Sequence, residues 1–429
     1  MNYSLSNWMA VGLYRILMTL IYGIFRVAGL FYPVEGLNER FGFYPASELK
    51  KLSDEPRIWL HAASAGEVNA IAPFCEAFRK VRPQVQIILT VTSRTGKKLA
   101  QEKGTADAVF FAPLDMGPCV KRAFKAFKPK VYLVAETEFW PRILLFAAQS
   151  KIPTLLLNGR ISDKSFPVYS WFKSLFTPAL NGFSHCFVQT MDDLKKLRAL
   201  GVPEKKVSIV GQLKHDLSPP DAMAVQKFKE KLSMLRKDIL FTFGSVRTGE
   251  DDLLIPLVPD LLKLSPDVKI LLAPRHLKNI QLVQEKLKKI GVSSTLRSQM
   301  GIQTIPERVI ILDTMGELAQ SYAFSRAAFV GGTLVPIGGH NLMEPALATV
   351  PVCFGPYTNN LPEAAEVLVQ SGGGFQLQDV SQLLECFRRF LDEDFAKNAG
   401  KNAHESVLSM RGATEKTVQG VLNWWPSEA

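Results

Sequence analysis

The chain has 429 residues, 47% of them hydrophobic, and a formal net charge of +11 at neutral pH. A chain of this length is too long for one ordinary hydrophobic core, which predicts two domains of roughly 180 to 200 residues each. The basic excess suits an anionic partner, but the basic residues are dispersed rather than gathered into stripes, which argues against nucleic acid. The five scattered cysteines and the six histidines match neither a disulfide framework nor a zinc pattern, so we expect no metal.

The first predicted element is an apolar helix over residues 8–32, interrupted by Arg15 and Arg26. At 100° per residue the two arginines fall within about 20° of each other, so the helix carries one cationic stripe, which Thr19 and Tyr22 share. Such a helix could lie in a membrane interface, span the membrane with the stripe against protein, or be a core helix. Because basic residues follow the helix and none precedes it, a spanning helix would leave the body of the protein in the cytoplasm. A cleaved signal peptide is disfavoured for the same reason.

From residue 57 onward, short β-branched runs alternate with helical patterns, which predicts parallel sheets with crossover helices. The paired prolines of "HDLSPPDAM" interrupt this alternation and mark a linker. We therefore predict an α/β fold with a membrane-anchor helix over 1–34 and two Rossmann-like domains over 35–215 and 216–429. The predicted strands are "RIWLHA", "VQIILTVTS", "AVFFAP", "VYLVAE", "TLLLNG", "CFVQT" and "VSIVG", then "ILFTFGS", "VKILLAP", "VIILD", "AAFVGG" and "VPVCFGP".

Polar residues that directly follow these strands are the candidates for chemistry, because ligands of parallel sheets bind at the carboxyl ends of the strands. They are Ser64, Glu67, Ser93, Arg94, Glu136, Glu138, Asn158, Arg160, Lys214, Ser245, Arg275 and His276.

The stretch "HAASAGEVNA" turns from strand to helix, and Ser64 with Glu67 forms the serine-x-x-glutamate pattern of a helix start. This pattern favours Glu67 as a cap. A functional role is compatible with it, because a helix start holds a carboxylate ionised, although a lowered pKa weakens the carboxylate as a base. A catalytic Glu67 should turn away from Ser64 and into a cleft between the domains.

The loop "GGTLVPIGGHNLMEP" is the second informative stretch. Its glycines allow close approach of the backbone, and Asn341 can cap a helix that carries Glu344 three residues later. Such a helix start suits a phosphate, and the carboxylate suits ribose hydroxyls, although an ordinary glycine-rich turn would look the same. The chain has no G-x-G-x-x-G fingerprint, and "SRTGKK" lacks the first glycine of a P-loop.

Seven blocks, "HAASAGEV", "AETEFWP", "NGRIS", "GQLKHD", "APRH", "DTMGEL" and "FVGGTLVPIGGHNLMEP", together resemble the Kdo transferase family of Gram-negative bacteria. The resemblance implies a GT-B architecture with an acceptor domain, a donor domain and a deep cleft between them. It also implies an inverting, metal-independent transfer of 3-deoxy-D-manno-octulosonic acid (Kdo) from CMP-Kdo to a lipid A precursor, lipid IVA, at the inner membrane.

Site residues follow from the resemblance position by position. Glu67 takes the place of the general base, and Glu136 and Lys214 match residues assigned to transition-state stabilisation. The CMP-binding segments correspond to Pro274, Arg275, Met315, Gly316, Glu317, Asn341, Leu342, Met343 and Glu344. No cofactor other than the donor substrate is implied.

Two blocks depart from the family pattern. "GSVRTGEDD" has Arg247 and Thr248 where similar proteins often have a histidine and a glutamate, so the role of the loop from Ser245 to Glu250 is open. "APRHLKN" lacks the usual proline after His276.

Plainer roles remain open as well. Spacing alone favours Lys214 as a solvated linker lysine and Glu138 as the cap of the following helix, and it allows Arg275 an ion pair at a sheet edge. The alternatives at the level of function are another GT-B enzyme that uses a UDP-sugar, or a non-catalytic nucleotide-binding protein at a membrane. The number of Kdo residues added and the oligomeric state are not predicted.

Overall fold

The computed structural model describes residues 4–31, 35–53, 55–216, 219–300 and 307–426, with the side chains of 25–31 excepted. The chain divides into two compact units. The first comprises Met1–Asp216 together with Arg411–Ala429, and the second comprises Leu217–Met410.

The first unit is an α/β unit whose strands alternate with helices along the chain. Its elements are α1 Leu5–Phe31, α2 Leu37–Arg40, α3 Ala46–Leu49, β1 Arg57–His61, α4 Ala65–Val81, β2 Gln86–Val91, α5 Arg94–Glu102, β3 Ala108–Phe111, α6 Gly117–Phe127, β4 Val131–Ala135, α7 Pro141–Gln149, β5 Thr154–Gly159, α8 Phe166–Trp171, α9 Lys173–Leu180, β6 His185–Val188, α10 Met191–Ala199 and β7 Val207–Ile209.

These seven strands form one parallel sheet in the order β3-β2-β1-β4-β5-β6-β7. The central strands are buried on both faces and read as continuous apolar runs, as expected where helices cover both sides. The strand order reverses between β1 and β4. A crevice therefore opens at the carboxyl ends of these two strands, the place where ligands bind in such sheets.

The second unit repeats this plan. Its elements are α11 Ala222–Lys231, β8 Ile239–Val246, α12 Glu250–Leu254, α13 Val258–Lys263, β9 Val268–Pro274, α14 Ile280–Lys289, β10 Thr295–Leu296, β11 Val309–Ile311, α15 Leu318–Tyr322, β12 Ala327–Val330, α16 Met343–Leu347, β13 Val352–Phe354, α17 Pro362–Ser371, β14 Gly374–Gln376, α18 Gln382–Arg389 and α19 Glu393–Leu408. The sheet order is β10-β11-β9-β8-β12-β13-β14, with its reversal between β8 and β12. The twelve predicted strands are present, and the short strands β10 and β14 were missed.

The predicted C-terminal boundary was wrong. Residues 216–429 were assigned to the second domain, but Arg411–Ala429 belongs to the first unit. The helix α20, Ala413–Asn423, buries Ala413, Val418 and Val421 in the same core as α4. Asp216 fixes its start, because the carboxylate accepts hydrogen bonds from the backbone N–H groups of Gly412 at 2.6 Å and Thr414 at 2.5 Å. Burial of these apolar side chains stabilises the helix in the first unit, although the helix follows the second unit in the chain.

The N-terminal helix α1 lies along the first unit. Val11 is buried, and Met18, Ile21 and Tyr22 pack around Phe41. The stretch Leu5–Ile24 is long and apolar enough to cross a membrane, and only 6% of it is buried inside the protein. Its outward face exposes large apolar side chains, namely Leu5, Trp8, Met9, Leu13, Ile16, Leu17, Leu20 and Ile24. The side chain of Arg26, the second arginine of the predicted stripe, lies outside the described residues.

Candidate functional site

Glu67 lies in the first turn of α4, directly after β1 and next to the reversal of the first sheet. Ser64 is the N-cap, and its hydroxyl accepts a hydrogen bond from the Glu67 backbone N–H at 3.3 Å. The Glu67 carboxylate folds back, accepting the backbone N–H of Ala63 at 2.8 Å and the Ser64 hydroxyl at 3.2 Å. The predicted cap is therefore present, and the expectation that the carboxylate turns away from Ser64 was wrong.

Burial raises the pKa of Glu67 to about 7. The hydrogen bond from Ala63 and the charge of His61 oppose this shift, whereas the negative charges of Glu138 and Glu136 add to it. The prediction of a lowered pKa was wrong because desolvation and two neighbouring carboxylates outweigh the helix start. A carboxylate with a pKa near 7 is well matched to general base catalysis at neutral pH.

Glu138 is held by aromatic side chains and does not cap a helix. Its Oε2 atom accepts a hydrogen bond from the Trp140 indole at 2.7 Å and lies 3.7 Å from Nε2 of His61. Burial opposes its ionisation, but His61 and the indole lower its pKa overall. His61 is itself buried and fixed through Nδ1 to the carbonyl of Thr90 at 3.0 Å. No sequence pattern indicated a role for His61 beyond its place at the end of β1.

Asn158 links Glu136 to the backbone next to Lys214. The Asn158 side chain donates to Oε1 of Glu136 at 3.4 Å and accepts the backbone N–H of Leu213 at 3.2 Å. Burial raises the pKa of Glu136, whereas the charges of Arg160 and Lys214 lower it. Glu67, Glu136 and Lys214, the three predicted catalytic residues, thus share the carboxyl edge of the first sheet.

Backbone strain accompanies both reversal points. Glu136 and Asn158 have φ values of 52°, and Ser245 at the end of β8 has a φ of 56°. A left-handed conformation at a residue other than glycine costs about 1–3 kcal/mol and persists where the surrounding structure enforces it. Strained residues at the strand ends are a common property of functional sites.

In the second unit, a pocket of about 310 Å³ lies at the carboxyl end of the sheet. Six of the nine predicted donor residues line it, namely Pro274, Arg275, Met315, Gly316, Asn341 and Glu344. Asn341 accepts the backbone N–H of Met343 at 3.0 Å and donates to Glu344 at 3.3 Å. Burial raises the pKa of Glu344, and Arg275 lowers it.

The other three predicted donor residues face elsewhere. The side chains of Leu342 and Met343 are buried in an apolar cluster. Glu317 pairs with Arg297 at 2.8 Å and also accepts from the Thr314 hydroxyl. Their side chains therefore serve the structure around the pocket.

The divergent loop is tied to the pocket through Arg247. Its Nε atom donates to Nε2 of His340 at 3.0 Å, and its Nη1 atom lies 2.7 Å from Nε2 of His276. Burial and then the charges of Arg247 and Arg275 lower the pKa of His340 to about 4, so that its ring is neutral and accepts the hydrogen bond. Arg247 was not predicted to have a role.

Glu250 anchors the same loop from below. This fully buried carboxylate accepts the backbone N–H groups of Arg247, Gly332, Thr333 and Leu334 at 2.6–2.9 Å. It joins the turn after β8 to the turn after β12, the two strands at the reversal. Among the residues that the structure describes, no group of three or more histidine, cysteine and acidic side chains could hold a metal ion.

Two Rossmann-like units, one with paired carboxylates and the other with a cationic pocket, define a two-unit α/β protein of GT-B type. Residues 35–217 match the sequence profile of 3-deoxy-D-manno-octulosonic-acid transferase (kdotransferase). The chain is 31% identical over 386 residues to the 3-deoxy-D-manno-octulosonic acid transferase of Haemophilus influenzae, and 89% of each chain is covered. The chain therefore belongs to the Kdo transferase family and is a glycosyltransferase.

Two further comparisons define the limits of this assignment. The chain is 30% identical over 371 residues to a bifunctional glycosyltransferase/methyltransferase of Fusobacterium nucleatum, covering 85% of this chain but 56% of that protein. The solved UDP-GlcNAc 2-epimerase of Neisseria meningitidis superposes with a TM-score of 0.58 at 14% identity, over 86% of this chain and 100% of the epimerase. This last likeness shows the fold alone.

Proposed function

We propose that this glycosyltransferase moves Kdo from CMP-Kdo to a hydroxyl of a lipid A precursor (lipid IVA), with inversion and without a metal ion. Glu67 carries the proposal: although its carboxylate folds back on Ala63 and Ser64, it is partly exposed at the reversal of the first sheet, and its pKa is raised to about 7. At neutral pH a large fraction of it is ionised, and its basicity exceeds that of an ordinary glutamate.

The proposed step is a single displacement. Glu67 takes the proton of the acceptor hydroxyl as its oxygen bonds to the anomeric carbon of Kdo. The bond from that carbon to the CMP phosphate oxygen breaks, and the phosphate leaves with the electron pair. Glu136 stabilises the positive charge that develops on the sugar, and Lys214 and Arg275 stabilise the negative charge of the departing phosphate.

The donor is proposed to bind in the pocket of the second unit. Arg275 supplies a cation for the cytidylate phosphate, and the carboxylate of Glu344 suits ribose hydroxyls. Arg247, which is held by His340 and His276, adds a fixed guanidinium group nearby.

The acceptor is proposed to be met at the cytoplasmic surface of the inner membrane. The outward face of α1 exposes eight large apolar side chains. Single exposed apolar residues are ordinary on protein surfaces, but a continuous apolar face of this size indicates a binding surface. Because α1 packs on the first unit from Val11 to Tyr22, we propose that it lies in the interface rather than crossing the membrane.

The test is to mix purified enzyme, CMP-Kdo and lipid A precursor, and to follow both CMP release and the mass of the lipid product. We expect one product mass step per Kdo residue and an unchanged rate with a chelator present. Absence of CMP release would overturn the proposal, and loss of activity on chelation would overturn the metal-free part.

A thermal shift experiment separates the donor alternatives. Stabilisation by CMP but not by UDP supports the proposal, whereas the reverse indicates a UDP-sugar enzyme. Binding of CMP with no transfer to any lipid acceptor would indicate a non-catalytic nucleotide-binding protein.

A further inference from the structure

Two adjoining cavities lie between α1 and the rest of the first unit, and the proposed reaction uses neither. One is a pocket of about 170 Å³ lined by Arg15, Thr19, Gly117, Pro118 and Arg142, together with Tyr14, Met18, Asp115 and Met116. The other is a groove of about 380 Å³ with a mainly apolar lining. Arg15 lines both cavities, so they are neighbours along α1.

The smaller cavity, here called the basic pocket, brings two like charges together. Burial and then the charge of Arg15 lower the pKa of Arg142. The Nη1 atom of Arg142 is buried and has no hydrogen-bond partner among the described residues. Two like charges in one pocket repel each other, and a bound anion would relieve this repulsion.

The start of α6 adds to the positive character of the basic pocket. The guanidinium group of Arg142 lies over Gly117. A Cβ atom built on this glycine would be 3.4 Å from Nη2 and 3.5 Å from Nε of Arg142. The eleven-residue helix α6 begins at this glycine, and no side chain of the described residues caps it at its N-cap. Its first turn therefore presents partial positive charge to the pocket.

Asp115 is the acidic group that lines the basic pocket, and both of its oxygens are occupied. Oδ2 accepts from the Tyr14 hydroxyl at 2.7 Å and from the Arg142 backbone N–H at 2.8 Å, and Oδ1 accepts from the Ile143 backbone N–H at 2.7 Å. It caps α7 and ties α1 to the unit. The two guanidinium groups carry two positive charges and Asp115 one negative charge, so the basic pocket keeps an excess of one positive charge.

The larger cavity, here called the apolar groove, has the complementary character. Trp8, Val11, Leu145, Ala148 and Pro178 form its apolar lining, and Asn7 and Gln149 lie at its edge. A groove of this kind accommodates a hydrocarbon chain. It borders on the exposed apolar face of α1, the face that we propose to lie in the membrane.

We propose that the basic pocket and the apolar groove together bind one phosphate-bearing membrane lipid, with its phosphate between Arg15 and Arg142 and an acyl chain in the groove. This inference rests on the membrane contact of α1 in the proposed function but not on the reaction. The adjoining groove favours a lipid over a soluble phosphate, which would leave the groove empty.

The test uses vesicles of phosphatidylcholine alone and vesicles that also contain phosphatidylglycerol, with binding measured by co-sedimentation. The variant Arg142→Lys keeps the charge but loses the planar fork that binds phosphate, and Ala148→Phe fills the groove without changing charge. We expect the preference of the wild type for phosphatidylglycerol to fall about fivefold in each variant. Lys125→Gln, an exposed change at the other end of α6, is the matched control and should keep the preference.

The possible outcomes are distinct. Equal preference in Arg142→Lys and the wild type would overturn binding of a lipid phosphate in the basic pocket, and an unchanged Ala148→Phe would overturn binding of an acyl chain in the apolar groove. An equal loss in Lys125→Gln would show diffuse attraction instead of a site. If inorganic phosphate stabilises the wild type but not Arg142→Lys while both bind vesicles alike, the site takes a soluble anion and the lipid is wrong. Stabilisation by CMP, measured on the same samples, tests donor binding independently.

Discussion

The carboxyl edges of the two sheets have the same topology but opposite chemistry. At the first, Glu67, Glu136 and Glu138 cluster, and the pKa of Glu67 is raised to about 7. At the second, burial and then the charges of Arg247 and Arg275 lower the pKa of His340 to about 4. Burial, together with neighbouring charge of one sign at a reversal point, makes a better proton acceptor in one unit and a fixed cationic pocket in the other. A shared fold thus places the sites, and local charge determines what each can do.

The strongest test of this comparison is Glu67→Gln. We expect transfer to fall by about a hundredfold or more, because glutamine accepts the Ala63 hydrogen bond but cannot take a proton. Stabilisation by CMP should be unchanged, since the pocket is in the second unit. Glu76→Gln, an exposed change on the same helix, is the control. Near-normal turnover of Glu67→Gln would show that Glu67 is not the general base.

The converse change is Arg275→Gln in the second unit. We expect affinity for CMP, measured by calorimetry, to fall about tenfold to a hundredfold through loss of a charge-assisted hydrogen bond. The pH dependence of the residual transfer should stay that of Glu67. Lys278→Gln, also exposed and three residues away, should bind CMP normally. Equal losses in both variants would point to general electrostatics.

A smaller effect is expected for Arg247→Ala. It frees His340 and His276, and we expect affinity for CMP to fall about threefold to tenfold. The pKa of His340 should rise from about 4 towards its ordinary value, because one of the charges that lower it is gone. Titration of the ring by NMR measures this shift. A His340 pKa that does not change would mean that burial alone sets it.

The pH dependence sharpens the first unit. The rate should rise with pH through about 7 as Glu67 loses its proton. Glu138→Gln removes a negative charge that raises this pKa, so the acid limb should move to lower pH. The rate of CMP release against pH measures both, with Glu76→Gln as the reference. A limb that moves to higher pH would contradict the arrangement of charges.

The smallest expected effect is on stability. The pKa of Glu67 is about 7 in the folded state and ordinary in the unfolded chain, so the folded state binds more protons between those values. Stability from this group is present at low pH and is lost as pH rises towards and through about 7. Glu67→Gln should therefore have a higher melting temperature than the wild type at about pH 8, with a smaller difference at about pH 5. A constant difference would refute the raised pKa.

Local patterns were sufficient for most of the fold. The twelve predicted strands lie in apolar, mostly β-branched runs, whereas β10 and β14 lie in stretches without such a run. The return of α20 to the first unit has no local signal at all. Its burial against α4 depends on the shape of a surface made by residues more than three hundred positions earlier.

The site shows the same limit. Spacing correctly predicted the Ser64 cap, and it placed Arg275 after a strand and Glu344 near a helix start, where both line one pocket. It could not give the pKa of Glu67, which depends on desolvation and on Glu138 in the loop after β4. Nor could it show that Arg247 lies between two histidines, because these contacts join residues 29 and 93 positions apart.

The connection at Asp216 has a consequence for how the protein is made. This residue leaves the ribosome before the whole second unit, and the helix that its carboxylate caps leaves after it. During synthesis the apolar face of α4 that α20 covers therefore stays bare while Leu217–Met410 is translated. The unit that is begun first is completed last, and in that interval the nascent chain offers chaperones an unfinished surface on a unit that is otherwise built.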